Sequence, residues 1–175
     1  EAQLRLEGEL DAARRIQMAM LPTAPGRFAD EPRTAIAALM RPARSVGGDL
    51  YDFFAIGPDR LFFLIGDVSG KGLPAAMFMA LAKALVKGVA QRFQGDPGRV
   101  LSEAGRALVE HNSEMLFVTM FVGLLDLNTG ELAWSNAGHE SPWRLSPGAA
   151  PRNGLDSGGP PLCVIEDFEY PSART

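Results

Sequence analysis

Two aspartates, each directly preceded by glycine, stand at the two ends of a pair of apolar stretches. The segment 45–76 reads SVGGDLYDFFAIGPDRLFFLIGDVSGKGLPAA. Its apolar runs, separated by the turn residues GPD at 57–59, predict a β-hairpin. A carboxylate beside an apolar strand is costly unless another group compensates its charge. The segment therefore predicts a hairpin with a compensating partner at its open end.

The length of the turn decides whether the two aspartates meet. If GPD is a three-residue loop, Ile56 pairs with Arg60, and Asp49 then lies directly opposite Asp67 on one face. A two-residue loop shifts the register by one residue and puts the two side chains on opposite faces. The sequence leaves both registers open.

Two adjacent carboxylates raise each other's pKa unless a cation lies between them. Oxygen ligands suit Mg²⁺ or Mn²⁺, whereas zinc favours histidine and thiolate. The glycines around the aspartates would let the backbone approach such an ion or a bound anion; they are Gly47, Gly48, Gly66, Gly70 and Gly72. The alternative is that both aspartates only cap turns. Asp52 follows Asp49 by three positions and faces the other way on a regular strand, which indicates a supporting or structural role.

The N-terminal segment Leu4–Leu21 predicts an amphipathic helix, because apolar residues recur at steps of three and four. Its stripe consists of Leu6, Leu10, Ala13, Gln17 and Met20. Pro22 ends the helix, and a linker rich in proline and glycine follows. The stripe packs either on this domain or on the helix of a partner, with Gln17 setting the register in the second case. We therefore divide the chain into a connector helix, residues 1–22, and a domain, residues 23–175.

The remaining pattern favours an α+β fold with antiparallel sheets. Strands are predicted at 34–43, on either side of GPD, on either side of the turn NTG at 128–130, and at 162–171. One helix is predicted from Pro74 to about Phe93. A second begins after Asp96, which suits an N-cap, with Pro97 at its first position.

Composition excludes several classes of function. The chain of 175 residues has a net charge of −4 and a pI near 5.2, which argues against a nucleic-acid binder. The longest apolar run, Leu73–Val86, is short for a bilayer and contains Lys83, so we expect a buried helix and no membrane span. A single cysteine forms no internal disulfide, and the N-terminus does not resemble a secretory signal. These features predict a cytoplasmic protein.

Other catalytic motifs do not fit. GDVSGKG has one residue too few for a phosphate-binding P-loop, and Ser69 lacks the spacing of a hydrolase elbow. His111 and His139 have no second ligand at zinc spacing, so each is interpreted as structural. Cys163 lies among apolar residues and is interpreted as a packing residue.

Several motifs, in order, resemble the SpoIIE-type branch of the PPM metal-dependent protein serine/threonine phosphatases. AARRIQMAMLP is similar to the family's first helix, SVGGDLYDFF to its first acidic motif, and IGDVSGKGLPAAMFMA to its second. FVTMFVGLLDLNTGELAWSNAGHESP is similar to its later hairpin and Asn-Ala-Gly-His turn. The resemblance covers nearly the whole chain.

The resemblance implies an αββα sandwich of two antiparallel sheets covered by helices, with two Mn²⁺ or Mg²⁺ ions between the sheets. Asp49 and Asp67 would be metal ligands, Asp67 bridging both ions, and Val68 would contribute its backbone carbonyl. Gly48, Asp52, Gly66, Gly70, Lys71 and Gly72 would support this site. The implied nucleophile is a metal-bound water, and no protein side chain is assigned as a catalytic residue.

The resemblance also implies further metal-binding aspartates near the C-terminal end of the domain, one of them in an Asp-Gly-(Val/Ile)-(Thr/Ser)-Glu motif. The sequence shows no such motif, since none of Asp126, Asp156 and Asp167 is followed by glycine. We therefore expect the phosphatase domain to be incomplete at its C-terminal end and its set of metal ligands to be partial.

The leading hypothesis is a phosphatase for phosphoserine or phosphothreonine on a partner protein, by resemblance an anti-anti-sigma factor. The resemblance further implies an upstream sensor domain that signals through the connector helix. The apolar stripe of that helix leaves a homodimer formed through it as one of its two packing alternatives. Two alternatives are an inactive signalling module with the same fold and an ATP-dependent phosphotransferase built on GDVSGKG. Manganese-dependent hydrolysis of a phosphate ester separates the first two, and nucleotide binding tests the third.

Overall fold

The computed structural model describes residues 2–42, 45–156 and 158–175. Its helices are α1 (Ala2–Met20), α2 (Leu73–Arg92) and α3 (Pro97–Val109). Its strands are β1 (Leu50–Ala55), β2 (Arg60–Val68), β3 (Val118–Asp126), β4 (Leu132–Ala137), β5 (Trp143–Arg144), β6 (Arg152–Asn153) and β7 (Ala173–Arg174).

The main sheet has five antiparallel strands in the order β1-β2-β3-β4-β7. The hairpins β1–β2 and β3–β4 form around the two turns that the sequence predicts, GPD and NTG. A second antiparallel sheet pairs β5 with β6. The predicted α+β class with antiparallel sheets and helices is confirmed.

Helices α2 and α3 cover one face of the main sheet and form the larger core with it. Leu50, Phe62 and Met120 from the strands pack with Met79 of α2 and Leu101 of α3, and all five are at most 1% exposed. The helix starts follow their local signals. Gly72 precedes α2 with a φ of +74° and Pro74 lies in the first turn, and the carboxylate of Asp96 accepts from the Arg99 amide at 3.1 Å at the start of α3.

Asp52 points to this helical face, as its spacing from Asp49 predicts. It is 2% exposed, and its Oδ2 accepts from Lys83 Nζ of α2 at 2.6 Å. Its Oδ1 accepts from the amide of Phe53 at 2.9 Å. Buried charges persist in proteins when they are paired and hydrogen-bonded. Asp52 therefore joins β1 to α2.

The opposite face of the sheet carries a smaller apolar cluster formed by Phe28, Phe53, Leu61 and Leu127. The linker after α1 supplies Phe28, and the hydroxyl of Tyr51 donates to the carbonyl of Pro22 at 2.9 Å. The two faces of the sheet thus differ: helices cover one, and the linker contacts the other.

Two predicted strands are wrong. Residues 34–42 form no ladder in the described structure, and Leu39 is 76% exposed. Of the predicted strand 162–171, only Leu162 makes a bridge, to Val118, and turns follow it. Apolar residues favour a strand only where a neighbouring backbone offers hydrogen bonds, and that partner cannot be read from a local pattern.

By length and composition alone, helix α2 could cross a membrane. The helix extends beyond the apolar run Leu73–Val86 to Arg92. In the fold it is a core helix, because Ala75, Met79, Ala82, Val86 and Ala90 are fully buried against its neighbours. The expected buried helix is therefore what the structure contains.

Candidate metal centre

The hairpin register brings the two aspartates together. Leu50 pairs with Gly66 in the β1–β2 ladder, and the amide of Ile56 donates to the carbonyl of Arg60 at 2.9 Å. One step beyond the strand, the amide of Val68 donates to the carbonyl of Gly48 at 3.3 Å. GPD is therefore a three-residue loop. Of the two registers that the sequence left open, the structure has the one in which Asp49 lies opposite Asp67.

The electrostatics of the pair favour a group that compensates negative charge. Burial and the neighbouring Asp49 raise the pKa of Asp67 above its usual value, and the two carboxyl groups are within hydrogen-bonding reach. In the part of the chain that the structure describes, neither aspartate forms an ion pair with lysine or arginine. The site accordingly favours either a shared proton or a bound cation.

Two glycines allow the backbones to approach closely at this end of the hairpin. A Cβ at Gly48 would lie 2.5 Å from the carbonyl oxygen of Val68, and one at Gly66 would lie 2.6 Å from that of Thr119. Real Cβ atoms do not come so near to backbone oxygens. Gly48 thus keeps the Asp49 backbone close to the Val68 carbonyl, the third oxygen that the family resemblance implies for the site.

The loop from β2 to α2 is anchored to β3. Ser69 donates its amide to the carbonyl of Phe117 at 2.8 Å, and its hydroxyl accepts from the Phe117 amide at 2.9 Å. Gly70 and Gly72 then take positive φ values of +86° and +74°, which glycine adopts without strain. Lys71 between them is exposed to solvent. These residues shape the loop that follows Asp67, and Lys71 is an exposed cation in it.

Thr119 and His139 also belong to this end of the sheet, although the sequence indicated only a structural role for His139. Thr119 lies opposite Asp67 in the β2–β3 ladder, so their side chains share one face. The Thr119 hydroxyl is 2.9 Å from His139 Nδ1. Burial lowers the pKa of His139, and the charges of Glu140 and Asp49 oppose that effect. No spacing rule in the sequence indicates this contact.

A turn that Asn136 stabilises holds His139 in place. The Asn136 Oδ1 atom accepts from the His139 amide at 2.8 Å, and Nδ2 donates to the His139 carbonyl at 3.0 Å. Gly138 between them has a φ of +65°. The Asn-Ala-Gly-His motif is thus a turn that directs the histidine back toward β3.

The oxygen atoms around Asp49 and Asp67 fit a hard divalent cation. Two carboxylates and a nearby carbonyl are the donors that Mg²⁺ and Mn²⁺ prefer, and Mg²⁺ keeps several waters besides its protein ligands. Among the described residues, no group of three or more His, Cys, Asp or Glu side chains forms a fuller ligand cage. Asp52 lies outside this site, on the helical face.

Known proteins resemble this chain over most of its length. Protein IcfG of Synechocystis sp. (strain PCC 6803) is 33% identical over 93% of the chain, and phosphoserine phosphatase RsbU of Bacillus subtilis (strain 168) is 26% identical over 96%. The chain spans 29% of IcfG and 49% of RsbU.

The fold also matches a solved structure, the SiaA-PP2C domain of Pseudomonas aeruginosa. The TM-score is 0.76 at 21% identity, and the match covers the whole of this chain and 68% of that domain's chain. This agreement establishes the PP2C fold. Residues 57–175 match the family of stage II sporulation protein E (SpoIIE). With the paired aspartates, the PP2C fold and this match, the chain belongs to the SpoIIE family, the SpoIIE-type branch of the PPM phosphatases.

Proposed function

We propose that the protein hydrolyses phosphoserine or phosphothreonine on a partner protein with the help of Mn²⁺ or Mg²⁺. The observation that supports this most is the Asp49–Asp67 pair. The pKa of Asp67 is raised, and neither aspartate has an ion-pair partner among the described residues, as is expected where two carboxylates bind a cation. The relative RsbU is named a phosphoserine phosphatase.

In this proposal Asp49, Asp67 and the backbone carbonyl of Val68 would hold the metal ions. When bound, such ions stabilise charge on phosphoryl oxygens and lower the pKa of water, which supplies a nucleophile near neutral pH. Gly48 and Gly66 keep the backbones that carry the ligands close together, and the 69–72 loop follows directly after Val68. No serine, cysteine or histidine of the chain needs to act as a nucleophile.

We infer that the substrate is a phosphorylated anti-anti-sigma factor in a cytoplasmic bacterial signalling pathway. The family membership and the similarity to RsbU support this class of partner.

Helix α1 is proposed to connect the domain to an upstream sensor and to a second copy of the chain. The carboxamide of Gln17 contacts both backbone polar groups of Gly47, donating to its carbonyl at 2.6 Å and accepting from its amide at 3.1 Å. Gly47 lies two residues before Asp49, so a shift of α1 would reach the metal centre. Gln17 is only 7% exposed, whereas Ile16 is 66% exposed and free to contact another helix.

Hydrolysis of a phosphoserine peptide by the full-length protein, with and without Mn²⁺, tests the activity. We expect turnover only with the metal. Asp67→Ala should lose more than 90% of that turnover, about 1.4 kcal/mol of barrier or more, and should keep or raise its melting temperature without metal, because carboxylate repulsion is removed.

Asp30→Ala is the control, since Asp30 is an exposed aspartate of the linker after α1; its turnover should equal that of the wild type. If the wild type binds Mn²⁺ and the phosphorylated partner but hydrolyses nothing, the protein is instead the inactive signalling module. Turnover of Asp67→Ala above a tenth of the wild-type value would exclude the ligand role.

A further inference from the structure

A cavity of about 530 Å³ lies between the first half of α2 and the connection from α3 to β3. Leu73, Met77 and Leu81 line it from α2, at steps of four residues that place them on one face of the helix. Phe78 and Leu116 line it as well. Leu73 is 48% exposed and Met77 is 66% exposed. We call this cavity the apolar groove, and contiguous exposed apolar surface of this kind is typical of a binding site.

The connection from α3 to β3 has a fixed shape where it borders the apolar groove. The Asn112 carboxamide accepts from the amide of Leu116 at 2.8 Å and donates to its carbonyl at 2.6 Å. Met115, inside this closed turn, has a φ of +51° and is 87% exposed. A residue with a Cβ adopts that backbone conformation only at a cost in energy. The turn therefore holds a large apolar side chain in solvent beside the groove.

The strand register gives the distance from the apolar groove to the aspartate pair. Thr119 lies directly opposite Asp67 in the β2–β3 ladder, and directly opposed Cα atoms are about 5 Å apart. Leu116 precedes Thr119 by three residues. Because an extended chain spans at most about 3.6 Å per residue, the backbone of Leu116 lies within roughly 11 Å of that of Thr119. The groove therefore begins a short peptide length from the candidate metal centre.

One loop, residues 69–72, lies between the aspartates and the apolar groove in the chain. It follows Val68 at the end of β2 and leads into Leu73, the first residue of α2. A Cβ at Gly70 would lie 3.5 Å from the Leu116 side chain, so the loop packs against the edge of the groove. Two of its four residues are glycines, which add little bulk to the path between the two sites.

The size of the apolar groove favours a peptide segment over a second copy of the chain. A stable interface between proteins buries roughly 800 Å² on each partner. A cavity of about 530 Å³ is instead within the size range of sites that hold a small ligand or a few side chains. A phosphoprotein substrate carries such side chains next to its phosphorylated residue. Since an extended peptide advances about 3.3 Å per residue, a side chain about three or four residues from a phosphoserine held at the aspartates would reach the groove.

We propose that the apolar groove binds an apolar side chain of the phosphoprotein substrate, about three or four residues from the phosphorylated residue. The inference rests on the proposed phosphatase function and adds a site that selects among phosphoproteins. Burial of one leucine-sized side chain increases affinity about tenfold or more. Substrates with an aliphatic residue at this distance are therefore preferred over equally phosphorylated polar ones.

The test variant combines Leu73→Gln with Met77→Gln, which makes the groove polar and retains helix propensity. Both side chains are exposed to solvent, so the core is not changed. Leu145→Gln is the matched control, because Leu145 is 74% exposed and lies on the connection between β5 and β6, outside the groove.

The measurement is kcat/KM of the full-length protein with Mn²⁺ for three kinds of substrate. The first is a set of phosphoserine peptides with one leucine at successive positions on either side, the second is the same peptide with serine in place of leucine, and the third is p-nitrophenyl phosphate. We expect the wild type and Leu145→Gln to prefer the best leucine peptide about tenfold over the serine peptide. The double variant should lose this preference and keep the wild-type rates on the serine peptide and on p-nitrophenyl phosphate.

Equal wild-type rates on all peptides overturn the inference, and so does a leucine preference that survives in the double variant. Slower hydrolysis of p-nitrophenyl phosphate by the double variant also overturns it, because the two residues would then act on the metal centre. Weaker self-association of the double variant in sedimentation, without any leucine preference in the wild type, would assign the groove to a second copy of the chain instead. If the wild type hydrolyses none of the substrates, the proposed function fails, and calorimetric affinities for the leucine and serine peptides decide the role of the groove, with equal affinities overturning it.

Discussion

Gly48 shows how a single missing side chain positions the metal centre. Alanine at this position would bring a Cβ to 2.5 Å from the Val68 carbonyl oxygen, so the end of β1 would have to move away from β2. We expect Gly48→Ala to cost about 1–3 kcal/mol of unfolding free energy, the usual cost of overpacking, and to weaken Mn²⁺ binding at least tenfold. Urea denaturation and calorimetry measure the two effects.

Gly47 is the matched control for this prediction. It is the preceding residue, but a Cβ there would have nothing within 4 Å, so Gly47→Ala should keep both stability and Mn²⁺ affinity. Equal behaviour of the two alanine variants would show that the close approach of Gly48 to Val68 does not matter for the site.

At the scale of the elements, the buried Asp52–Lys83 pair joins β1 to α2. In wild type the Asp52 carboxylate is 2% exposed. Among the described residues, Lys83→Met would leave it with Lys87, at 3.7 Å, as its cation and with the Phe53 amide as a hydrogen-bond donor. Removing one partner of a buried pair costs about 3–5 kcal/mol, whereas replacing both by apolar residues is often neutral. Chemical denaturation should therefore show a large loss for Lys83→Met and a recovery for Lys83→Met combined with Asp52→Leu.

The double variant also tests whether Asp52 has a structural role and is not a metal ligand. Its Mn²⁺ affinity should equal that of the wild type, because Asp52 faces α2 and Asp49 faces the other side of the sheet. A loss of Mn²⁺ binding in a stably folded double variant would contradict this assignment.

At the scale of the whole molecule, α1 has two separable contacts. Ile16→Glu places a charge on its exposed apolar side and should weaken self-association in sedimentation experiments, with unchanged Mn²⁺ affinity. Gln17→Leu removes both hydrogen bonds to Gly47 and should weaken Mn²⁺ binding by severalfold, because the loop before Asp49 loses its anchor. If both variants behave as the wild type in both measurements, α1 is a packing element and the connector proposal fails.

The sequence predicted the helix starts and turns, which depend on residues close together in the chain. Asp96 and Pro97 predicted the start of α3, and Pro74 predicted the start of α2, because caps and first turns are stabilised by residues a few positions away. The turns GPD and NTG predicted both hairpins for the same reason. Asp49 and Asp67 were identified as candidate ligands. Whether they lie side by side depended on the length of the GPD turn, which the sequence alone left open.

The tertiary structure decided the pairings between distant parts of the chain. Residues 34–42 are apolar enough for a strand, yet a strand also needs a backbone that lies alongside it, and these residues form no ladder with any described strand. The contacts of Gln17 with Gly47 and of Thr119 with His139 join residues 30 and 20 positions apart, and no periodicity relates them. Local stereochemistry is encoded residue by residue, whereas the candidate metal centre and its histidine exist only because the register of β1, β2 and β3 brings their ends together on one face of the sheet.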